Sequence, residues 1–330
     1  MPDIILTDDI FTELLINPPV QDGCDRLCIV SGYATAAMTF HHFQELHRRE
    51  RGVNISLIVG MCPQDGLSKS NHRAFQDLMS NSYAGHFECS YLINHPPVHS
   101  KIYCWLRGDE PAHGYIGSAN YTQTAFSKAQ REAMTLCSPR QSLEYFQKLL
   151  PQTIYCTHAD AGDLIQIYND RYFRRSPAAH LQDETRPAPD LVADYTGLPF
   201  ARLTLLDRQG RLPLRSGLNW GQRPEVRREP NQAYIKMPSN VYSTDFFPPR
   251  TVHFTVLTDD NKVLICARAQ DNGKAIHTPH NNSLIGEYFR NRLGLPNGAP
   301  VTLADLQRYG RTDVVFYKID DETYFMDFSV

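Results

Sequence analysis

The 330-residue chain has no apolar run of the roughly 20 residues that a membrane-spanning helix needs. Its first segment, MPDIILTDDIF, carries acidic side chains and no positively charged leader, so no secretory signal is expected there. Hydrophobic residues make up 42% of the chain and charged residues 21%, which is the composition of an ordinary globular protein. We therefore expect a cytoplasmic protein with no membrane partner.

The eight cysteines show neither the spacing of a zinc knuckle nor that of a disulfide framework. Cys24 and Cys28 form the only close pair, and their spacing is wider than zinc sites favour. Cys28 and Cys104 fall in apolar runs, where small buried thiols are common. Because a chain of this length can bury a large core without cross-links, no disulfides are expected.

Clusters of metal ligands are missing as well. The sequence holds no group of carboxylates, histidines or cysteines at metal-binding spacing. Two histidine pairs, His41 with His42 and His277 with His280, are interpreted as surface or binding residues. The sequence therefore predicts no metal ion and no other cofactor.

The chain lacks an overall excess of positive charge, because 36 Asp and Glu outnumber 33 Lys and Arg. Locally the balance is reversed: residues 202–236 contain eight basic side chains and three acidic ones. Acidic residues gather near the C-terminal end, at Asp320, Asp321, Glu322 and Asp327. This asymmetry is typical of a positive surface directed at nucleic acid, although a solvated polar face explains the charges equally well.

The length of the chain is about twice that of a usual single domain, so two domains are expected. In the first half, short apolar runs alternate with amphipathic segments, which predicts a sheet covered by helices. The predicted strands lie within 25–34, 54–62, 87–93, 98–106 and 114–118. The predicted helices lie within 35–51 and 70–82, after Ser138-Pro139, and over a segment with Leu164, Ile165, Tyr168 and Tyr172.

The alternation breaks at residues 174–190, where polar residues, alanines and three prolines indicate a linker. Beyond it, alternating apolar and polar residues predict a β-rich domain with hairpin turns at 259–262 and 320–322. One helix is predicted over 283–293, with Gly294 as its stop. The expected organisation is a first domain over 1–175, a linker over 176–190 and a second domain over 191–330.

The segment VHSKIYCWLRGDEPAHGYIGSANYTQTAF, residues 98–126, carries the strongest chemical signal. In a strand, His99 and Lys101 would point to the same face, two residues apart. After a hairpin, Ser118 and Asn120 leave a strand in a turn. An imidazole, an ammonium, a hydroxyl and an amide that converge at strand ends suit a tetrahedral phosphate. These groups make His99 the candidate nucleophile on phosphorus, with the other three binding phosphate oxygens.

His99-x-Lys101 followed by Gly-Ser118-x-Asn120 resembles the signature of the phospholipase D superfamily, over roughly residues 1–175. The resemblance implies that His99 is the covalent nucleophile and that Lys101 and Asn120 clamp the phosphate. It gives Ser118 the part of a supporting hydrogen-bond donor.

The sequence departs from that signature at one position. The superfamily's common aspartate, five residues after the lysine, is Leu106 here, and Asp109 is off register. In the nuclease branch, a glutamate shortly after the Gly-Ser-x-Asn segment takes a supporting place. Glu132, in the sequence QREAM, fits that position.

The H-x-K motif occurs once in the chain, at residue 99. The superfamily's reaction uses two histidines, one that attacks and one that protonates the leaving oxygen and later activates water. We therefore hypothesise a homodimer that pairs two copies of His99 across a two-fold axis. One central site in such a dimer would cut two DNA strands in succession, and no divalent cation would be needed.

Two polar segments in the second half, residues 215–238 and 268–283, are candidate DNA-contacting arms. Arginine pairs well with guanine, and asparagine or glutamine with adenine. Two long polar loops without a ligand are the simpler alternative, although loops of this length are usually functional or disordered. The candidate DNA-binding residues are Arg215, Asn219, Trp220, Gln222, Arg223, Arg227, Arg228, Asn231, Gln232, Tyr234, Lys236, Arg268, Gln270, Asn272, Lys274, His277, Asn281 and Asn282.

This second half is similar to the B3-like domain joined to phospholipase D-type nucleases in type II restriction enzymes of the BfiI and NgoFVII kind. The segment LIGEYFRNRLGL, the two arms and the domain order carry the match. The resemblance implies an α/β phospholipase D-like domain, with a central sheet flanked by helices, and a β-rich B3-like pseudobarrel that grips the major groove. It also implies double-stranded DNA as the partner and a companion DNA methyltransferase.

Two other functions remain open from the sequence. A phospholipase or lipid head-group transferase would share the H-x-K chemistry, but it would not need arms rich in Arg, Asn and Gln. A DNA-binding regulator would explain residues 190–330 but would leave His99, Lys101 and Asn120 without a purpose. A sequence-specific restriction endonuclease explains both halves.

Overall fold

A computed structural model describes residues 5–127, 130–168 and 197–330. The chain divides into two compact units between Asn169 and Asp170. The predicted linker, 176–190, lies outside the described residues, so the domain boundaries at 175 and 191 remain a prediction.

The N-terminal unit is built around a sheet. Its strands are β1 (Ile5–Leu6), β2 (Arg26–Ser31), β3 (Asn54–Val59), β4 (Leu67–Ser68), β5 (Phe87–Leu92), β6 (Lys101–Arg107), β7 (Glu110–Gly117), β8 (Met134–Cys137), β9 (Thr153–Tyr155) and β10 (Ile167–Tyr168). Among the described residues, eight of them form one sheet in the order β1-β8-β7-β6-β2-β3-β5-β9. β2, β3 and β5 run parallel at its centre, which explains why most of their residues are buried.

Helices pack against this sheet, as the alternating sequence pattern predicts. They are α1 (Asn17–Gln21), α2 (Ala36–His47), α3 (Cys62–Asp65), α4 (Lys69–Asp77), α5 (Gln123–Phe126), α6 (Pro139–Leu149) and α7 (Ala161–Leu164). Thr35, Ser68 and Ser138 begin α2, α4 and α6, and each side chain accepts a hydrogen bond from a backbone N–H of the first turn. On α6, Phe146 and Leu149 are buried against the sheet.

Two predicted elements of this unit are wrong in extent. The helix expected around Ile165 and Tyr168 ends at Leu164, and residues 167–168 form β10, which pairs in parallel with β4. Because β4 lies about a hundred residues earlier in the chain, no local pattern indicates this pairing. Tyr172, the last residue named for the predicted helix, lies outside the described residues. The strand expected from residue 98 begins at Lys101, so His99 precedes the strand.

The cysteines lie within the described residues, and none forms a disulfide. Cys28 on β2 and Cys104 on β6 are buried partners in adjacent strands, which confirms the prediction of buried thiols. Burial raises the pKa of the Cys28 thiol to about 11 and that of Cys104 to about 12. These cysteines therefore behave as small core residues.

The C-terminal unit is a separate β-rich body. Its strands are β11 (Phe200–Thr204), β12 (Ile235–Lys236), β13 (Phe254–Thr258), β14 (Val263–Ala269), β15 (Ala275–His277), β16 (Asp313–Lys318) and β17 (Thr323–Asp327). They form a sheet in the order β11-β16-β17-β13-β14-β15-β12, whose end strands β11 and β12 contact each other, so the sheet nearly closes into a barrel. The β13–β14 and β16–β17 hairpins confirm the two predicted turns.

The helices of this unit are α8 (Ser239–Tyr242), α9 (Ser283–Leu293) and α10 (Leu303–Tyr309). α9 has the predicted bounds and ends at Gly294, which has a φ of 67°. α10 was not among the predicted helices, although Thr302 and Asp305 form a reciprocal capping box at its start. No helix within the described parts of either unit is long and apolar enough to cross a membrane.

Candidate functional site

The central feature of the N-terminal unit is the end of its sheet at which β6 begins and β2 and β7 finish, called the sheet edge below. β6 lies between β2 and β7 and runs antiparallel to both, so its start meets their ends. Lys101, the first residue of β6, is the register partner of Ser31, the last residue of β2. This edge therefore gathers the predicted phosphate-binding residues: His99, Lys101, Ser118 and Asn120.

His99 lies in the segment just before β6, with an exposed side chain. Val98 is anchored by its N–H, which donates to the carbonyl of Gly60 at 2.9 Å. A Cβ at Gly60 would lie 2.1 Å from the carbonyl oxygen of Val98, and one at Gly32 would lie 3.0 Å from Cδ2 of His99. Glycine at both positions lets the His99 segment pack directly on the ends of β2 and β3.

Lys101 is only 6% exposed, yet it lies at the open edge of the sheet. Its Nζ donates a hydrogen bond to the backbone carbonyl of His99 at 2.7 Å. Burial lowers the pKa of Lys101, while the charge of Glu132 acts in the opposite direction. A partly desolvated cation is thus held beside the histidine segment, where it can bind an anion strongly.

Asn120 has its side chain oriented by the backbone. Its Oδ1 accepts a hydrogen bond from the Tyr33 N–H at 3.1 Å. Ser31 braces the same group: its Oγ donates to the carbonyl of Tyr33 at 2.6 Å, accepts from the Tyr121 N–H at 2.9 Å and lies 3.5 Å from Oδ1 of Asn120. Because Oδ1 is engaged in this way, the Nδ2 group is the part of Asn120 that can donate to a bound oxyanion.

The turn that carries Asn120 rests on buried aromatic residues. The Tyr103 hydroxyl donates to the carbonyl of Ala119 at 2.9 Å. Tyr121 is fully buried, and its hydroxyl lies 2.9 Å from Nδ1 of His42, whose Nε2 lies 3.0 Å from the carbonyl of Leu15. Since only an N–H can bond to that carbonyl, Nδ1 accepts from Tyr121.

The prediction that His42 is a surface or binding residue is wrong. His42 is 0% exposed, and burial lowers its pKa to about 3. The apolar periodicity of α2 predicts that one face of the helix is buried, and His42 lies on that face. The prediction placed His42 on the surface because its side chain is polar. Its two internal hydrogen bonds remove the cost of burying it.

Glu132 contacts Ser118 at the same edge of the sheet. The Ser118 hydroxyl donates to a carboxylate oxygen of Glu132 and accepts from the Ala133 N–H at 3.0 Å. Leu106, at the position of the superfamily's aspartate, is fully buried in the core. Asp109 follows β6 at the strand's other end, where it pairs with Arg26 at 3.3 Å.

Two residues that the sequence analysis did not select also lie at this edge: Tyr33 and Asp65. Tyr33 follows β2, and Asp65 ends the short helix α3 that follows β3. The Tyr33 hydroxyl donates to Oδ2 of Asp65 at 2.6 Å. Tyr33 comes two residues after β2, and Asp65 lies in the segment that follows β3. These positions were a usable signal, because the carboxyl ends of parallel strands form the binding edge of a sheet.

In the C-terminal unit, several predicted DNA-binding side chains have internal partners. Asn219 is 1% exposed and bonds to the backbone of Pro213 and Val301. Gln222 donates to two backbone carbonyls, and Asn231 accepts from the Gly298 N–H at 2.6 Å. These amides attach the first arm to the neighbouring segment at residues 298–301.

The second arm shows the same feature. Arg268 donates to backbone carbonyls of Gly273, Tyr242, Asn272 and Phe247. Oδ1 of Asn282 lies 2.8 Å from Nδ1 of His277, whose pKa is lowered by burial and raised to a lesser extent by this bond. The backbone of Asn281 accepts from Thr278, while its side chain is exposed.

Other predicted residues face outward. Arg228 lies over the Trp220 ring, with its guanidinium carbon 4.0 Å from the ring centroid, and donates to Gln232 at 3.2 Å. Tyr234 packs edge-on against Trp220 at 5.7 Å. Arg215 is paired with Glu225 at 3.0 Å and Arg223 donates to the carbonyl of Arg215. The predicted residues with exposed or half-exposed side chains further include Arg227, Lys236, Gln270, Asn272 and Lys274.

No group of three or more His, Cys, Asp or Glu side chains lies close enough to hold a metal ion within residues 5–127, 130–168 and 197–330. At the sheet edge, the groups available to a ligand are an imidazole, an ammonium, an amide and a hydroxyl. The Ser118 hydroxyl donates to Glu132, so the imidazole, the ammonium and the amide are the three groups left to donate to a ligand. Such a set of donors suits an anion.

Solved structures resemble the N-terminal part of the chain. NucT from Helicobacter pylori is 12% identical, with a TM-score of 0.32, over 46% of this chain and 98% of that protein. Nuc from Salmonella typhimurium, a phospholipase D family member, is 16% identical, with a TM-score of 0.30, over 41% of this chain and 84% of that protein. No match is found among curated proteins.

Two family models match the chain, one for each unit. Residues 8–163 match the N-terminal PLD domain of the NgoFVII restriction endonuclease. Residues 195–320 match the C-terminal B3-like DNA-binding domain of the same enzyme. The two matches are in the domain order that the sequence predicts and together cover most of the chain. The chain therefore belongs to the NgoFVII restriction endonuclease family, with a phospholipase D-like domain followed by a B3-like DNA-binding domain.

Proposed function

We propose that this protein is a type II restriction endonuclease that cuts double-stranded DNA at a specific sequence and needs no metal ion. The observation that carries the proposal is the sheet edge that brings His99, Lys101 and Asn120 together in a chain that also has a DNA-binding domain. Such an edge offers a nucleophile and fixed donors to a phosphodiester.

In the first step, a nitrogen of His99 attacks phosphorus and forms a phosphohistidine, while the bond to the 3′ oxygen breaks. The His99 imidazole of a second subunit gives its proton to that departing oxygen. Lys101 and the Nδ2 group of Asn120 bind the non-bridging oxygens, where negative charge develops.

In the second step, the now neutral second histidine takes a proton from water, and the hydroxide attacks phosphorus. The phosphorus–nitrogen bond breaks, which leaves a 5′-phosphate and regenerates both histidines in their starting states. The positive charge of Lys101 supplies the stabilisation that a divalent cation supplies in other nucleases.

A homodimer is part of this proposal, because the reaction needs two histidines and the H-x-K motif occurs once in the chain. Ser118 and Glu132, which are hydrogen-bonded to each other, support the edge next to the phosphate. We expect the enzyme to work in the cytoplasm beside a methyltransferase that protects the host's DNA.

The arms of the C-terminal unit are proposed to select the sequence. Arg228, stacked on Trp220 and bonded to Gln232, is preorganised to bind a base edge. The exposed residues of both arms supply further contacts to bases and phosphates. The internally bonded amides, such as Asn219, keep the arms in shape.

The decisive experiment is cleavage of a mixed DNA library by the purified protein in excess EDTA, with His99→Ala as the matched variant. Wild type is expected to give discrete fragments, and His99→Ala none, with unchanged binding to the target. Quenching with alkaline detergent during turnover, which preserves a phosphorus–nitrogen bond, should trap the labelled 5′-phosphoryl strand on wild type only.

Each part of the proposal can fail separately. Cleavage that EDTA abolishes would contradict independence of metal. A His99→Ala protein that cuts at near wild-type rate would remove His99 from the reaction. DNA binding without cleavage by either protein would instead indicate a DNA-binding regulator.

A further inference from the structure

Tyr33 contacts the candidate nucleophile and the phosphate-binding amide at once. Its ring lies edge-on to the His99 imidazole, with ring centroids 5.8 Å apart and planes at 79°. Its backbone N–H donates to Oδ1 of Asn120 at 3.1 Å. A single residue thus lies between the two groups that must act on the same phosphate.

The His99 imidazole is held by packing. Among the described residues, its ring nitrogens have no side-chain hydrogen bond or ion pair, and the superfamily's nearby aspartate is replaced by the buried Leu106. Its Cδ2 edge lies against Gly32, and Tyr33 covers another side. The orientation of the nucleophile therefore depends on how firmly Tyr33 itself is held.

Asp65, the last residue of α3, holds Tyr33 in place. The Tyr33 hydroxyl donates to Oδ2 of Asp65 at 2.6 Å, a short charge-assisted hydrogen bond. Burial, together with this bond, raises the pKa of Tyr33 to about 12, so the hydroxyl stays protonated as a donor at neutral pH. This tether limits rotation of a ring that is itself 37% exposed.

We propose that Tyr33, tethered by Asp65, is a positioning residue that holds the His99 imidazole in its attacking orientation. The proposal rests on the proposed function, since it assigns Tyr33 a part in that same reaction. Misplacement of a reacting group by about 1 Å can cost on the order of 100-fold in rate, so a loosened imidazole should slow the chemical step.

The test compares single-turnover cleavage rates at saturating protein with dissociation constants for the same DNA. Tyr33→Ala is expected to lower the rate about 10- to 100-fold and leave the dissociation constant within about twofold. Tyr33→Phe and Asp65→Ala keep the ring but lose the tether, so smaller and similar losses of about 3- to 10-fold are expected. Asp65→Asn keeps an acceptor for the hydroxyl and should stay near wild type.

Two further variants separate positioning from general damage. The double variant Tyr33→Phe/Asp65→Ala should be no slower than either single one, because both remove the same hydrogen bond. Tyr155→Ala, on the outer strand β9 with a 43% exposed side chain, is the matched control and should cleave normally.

A second measurement does not depend on cleavage. In wild type, an NMR cross-relaxation signal is expected between the His99 Cδ2 proton and the Gly32 Hα protons, since these groups pack together. The signal should persist in Tyr33→Phe and weaken in Tyr33→Ala. If wild type fails to cut DNA, the proposed function fails, while this signal still tests the positioning.

The positioning role is wrong if Tyr33→Ala cuts at the wild-type rate or keeps the full cross-relaxation signal. It is also wrong if Tyr33→Ala cleaves at the wild-type rate once the DNA is saturated with protein, and slowly only below saturation. In that case the loss of cleavage would match a loss of DNA binding. That last result would make Tyr33 a DNA contact. Additive losses in the double variant would contradict the tether through Asp65.

Discussion

At the scale of single residues, His42 links the core of the N-terminal unit to the candidate site. It is fully buried and bonds to Tyr121, the residue directly after Asn120. In the folded protein its pKa is about 3, because burial disfavours the charged form. An unfolded histidine titrates near 6.5.

This difference predicts that the N-terminal unit loses stability in mild acid. Between pH 6.5 and about pH 3, the unfolded chain binds a proton at His42 and the folded chain does not. The free energy of unfolding should therefore fall as the pH falls below about 6.5, by up to about 1.4 kcal/mol per pH unit from this residue. Urea unfolding at pH 7 and pH 5 measures the effect.

The matched variants are His42→Gln and His47→Gln. His42→Gln is expected to be less stable at pH 7 but to lose less stability on going to pH 5, since the titrating group is gone. His47 is exposed on the last turn of α2, and His47→Gln is the control for replacing a histidine on this helix. An unchanged slope in His42→Gln would show that other groups cause the acid sensitivity.

At the scale of elements, the first arm divides its polar residues between two tasks. Asn219 is buried, and its amide bonds to the carbonyls of Pro213 and Val301 and to the Val301 N–H at 2.8 to 3.0 Å. Arg228 is half-exposed on Trp220 and keeps part of its guanidinium available. The first residue shapes the arm, and the second is proposed to bind DNA.

We predict that substitutions at these two positions have opposite signatures. Asn219→Ala leaves two buried backbone groups of Val301 and the half-buried carbonyl of Pro213 without this partner, and should lower the free energy of unfolding by about 2–4 kcal/mol. Arg228→Ala should leave stability nearly unchanged and weaken binding to the target by about 1–3 kcal/mol, with less effect on random DNA. Thermal melting and mobility shifts at fixed salt measure both quantities.

Arg202→Ala is the control for Arg228→Ala. Arg202 lies on β11, outside the arms, and pairs with Asp313 at 2.8 Å on the surface. Arg202→Ala should either leave DNA binding unchanged or weaken binding to target DNA and to random DNA by the same factor. If Arg228→Ala weakens both kinds of DNA to the same degree, Arg228 contacts phosphates and carries no sequence information.

At the scale of the whole molecule, the question is how many chains make one active site. The H-x-K motif occurs once in the chain, while the proposed reaction uses an attacking histidine and a proton-donating one. The exposed position of His99 at a sheet edge leaves it accessible to a second chain.

The dimeric site predicts a dominant effect of the inactive chain. When wild type and His99→Ala are mixed in equal amounts and allowed to exchange subunits, random pairing puts about half of the wild-type chains into mixed dimers. Cleavage per wild-type chain should then fall to about half, because a mixed dimer lacks one histidine. The initial rate is measured in EDTA.

Two outcomes would contradict the shared site. Cleavage per wild-type chain that does not change on mixing would mean that each chain works alone. A monomeric mass in solution, at concentrations where the enzyme is active, would lead to the same conclusion. The control is a sample in which wild type replaces the His99→Ala protein, so that the total protein concentration is the same.

The sequence by itself determined the chemistry-bearing motif, the two-domain order and most regular elements. Apolar periodicity placed β2, β3, β5 and α9, because burial of one face imposes a repeat on the local sequence. The H-x-K and Gly-Ser-x-Asn segments predicted which residues meet, since a hairpin brings adjacent strand ends together.

Only the tertiary structure decided which polar residues serve which purpose. His42 is buried because Leu15 and Tyr121 supply its partners, and Tyr33 reaches His99 because β2 lies beside β6. The side-chain amide of Asn219 is hydrogen-bonded to the backbone of Val301, about eighty residues away along the chain. The physical reason is that periodicity reports which face of an element is apolar, whereas a hydrogen bond depends on partners that folding brings from distant segments.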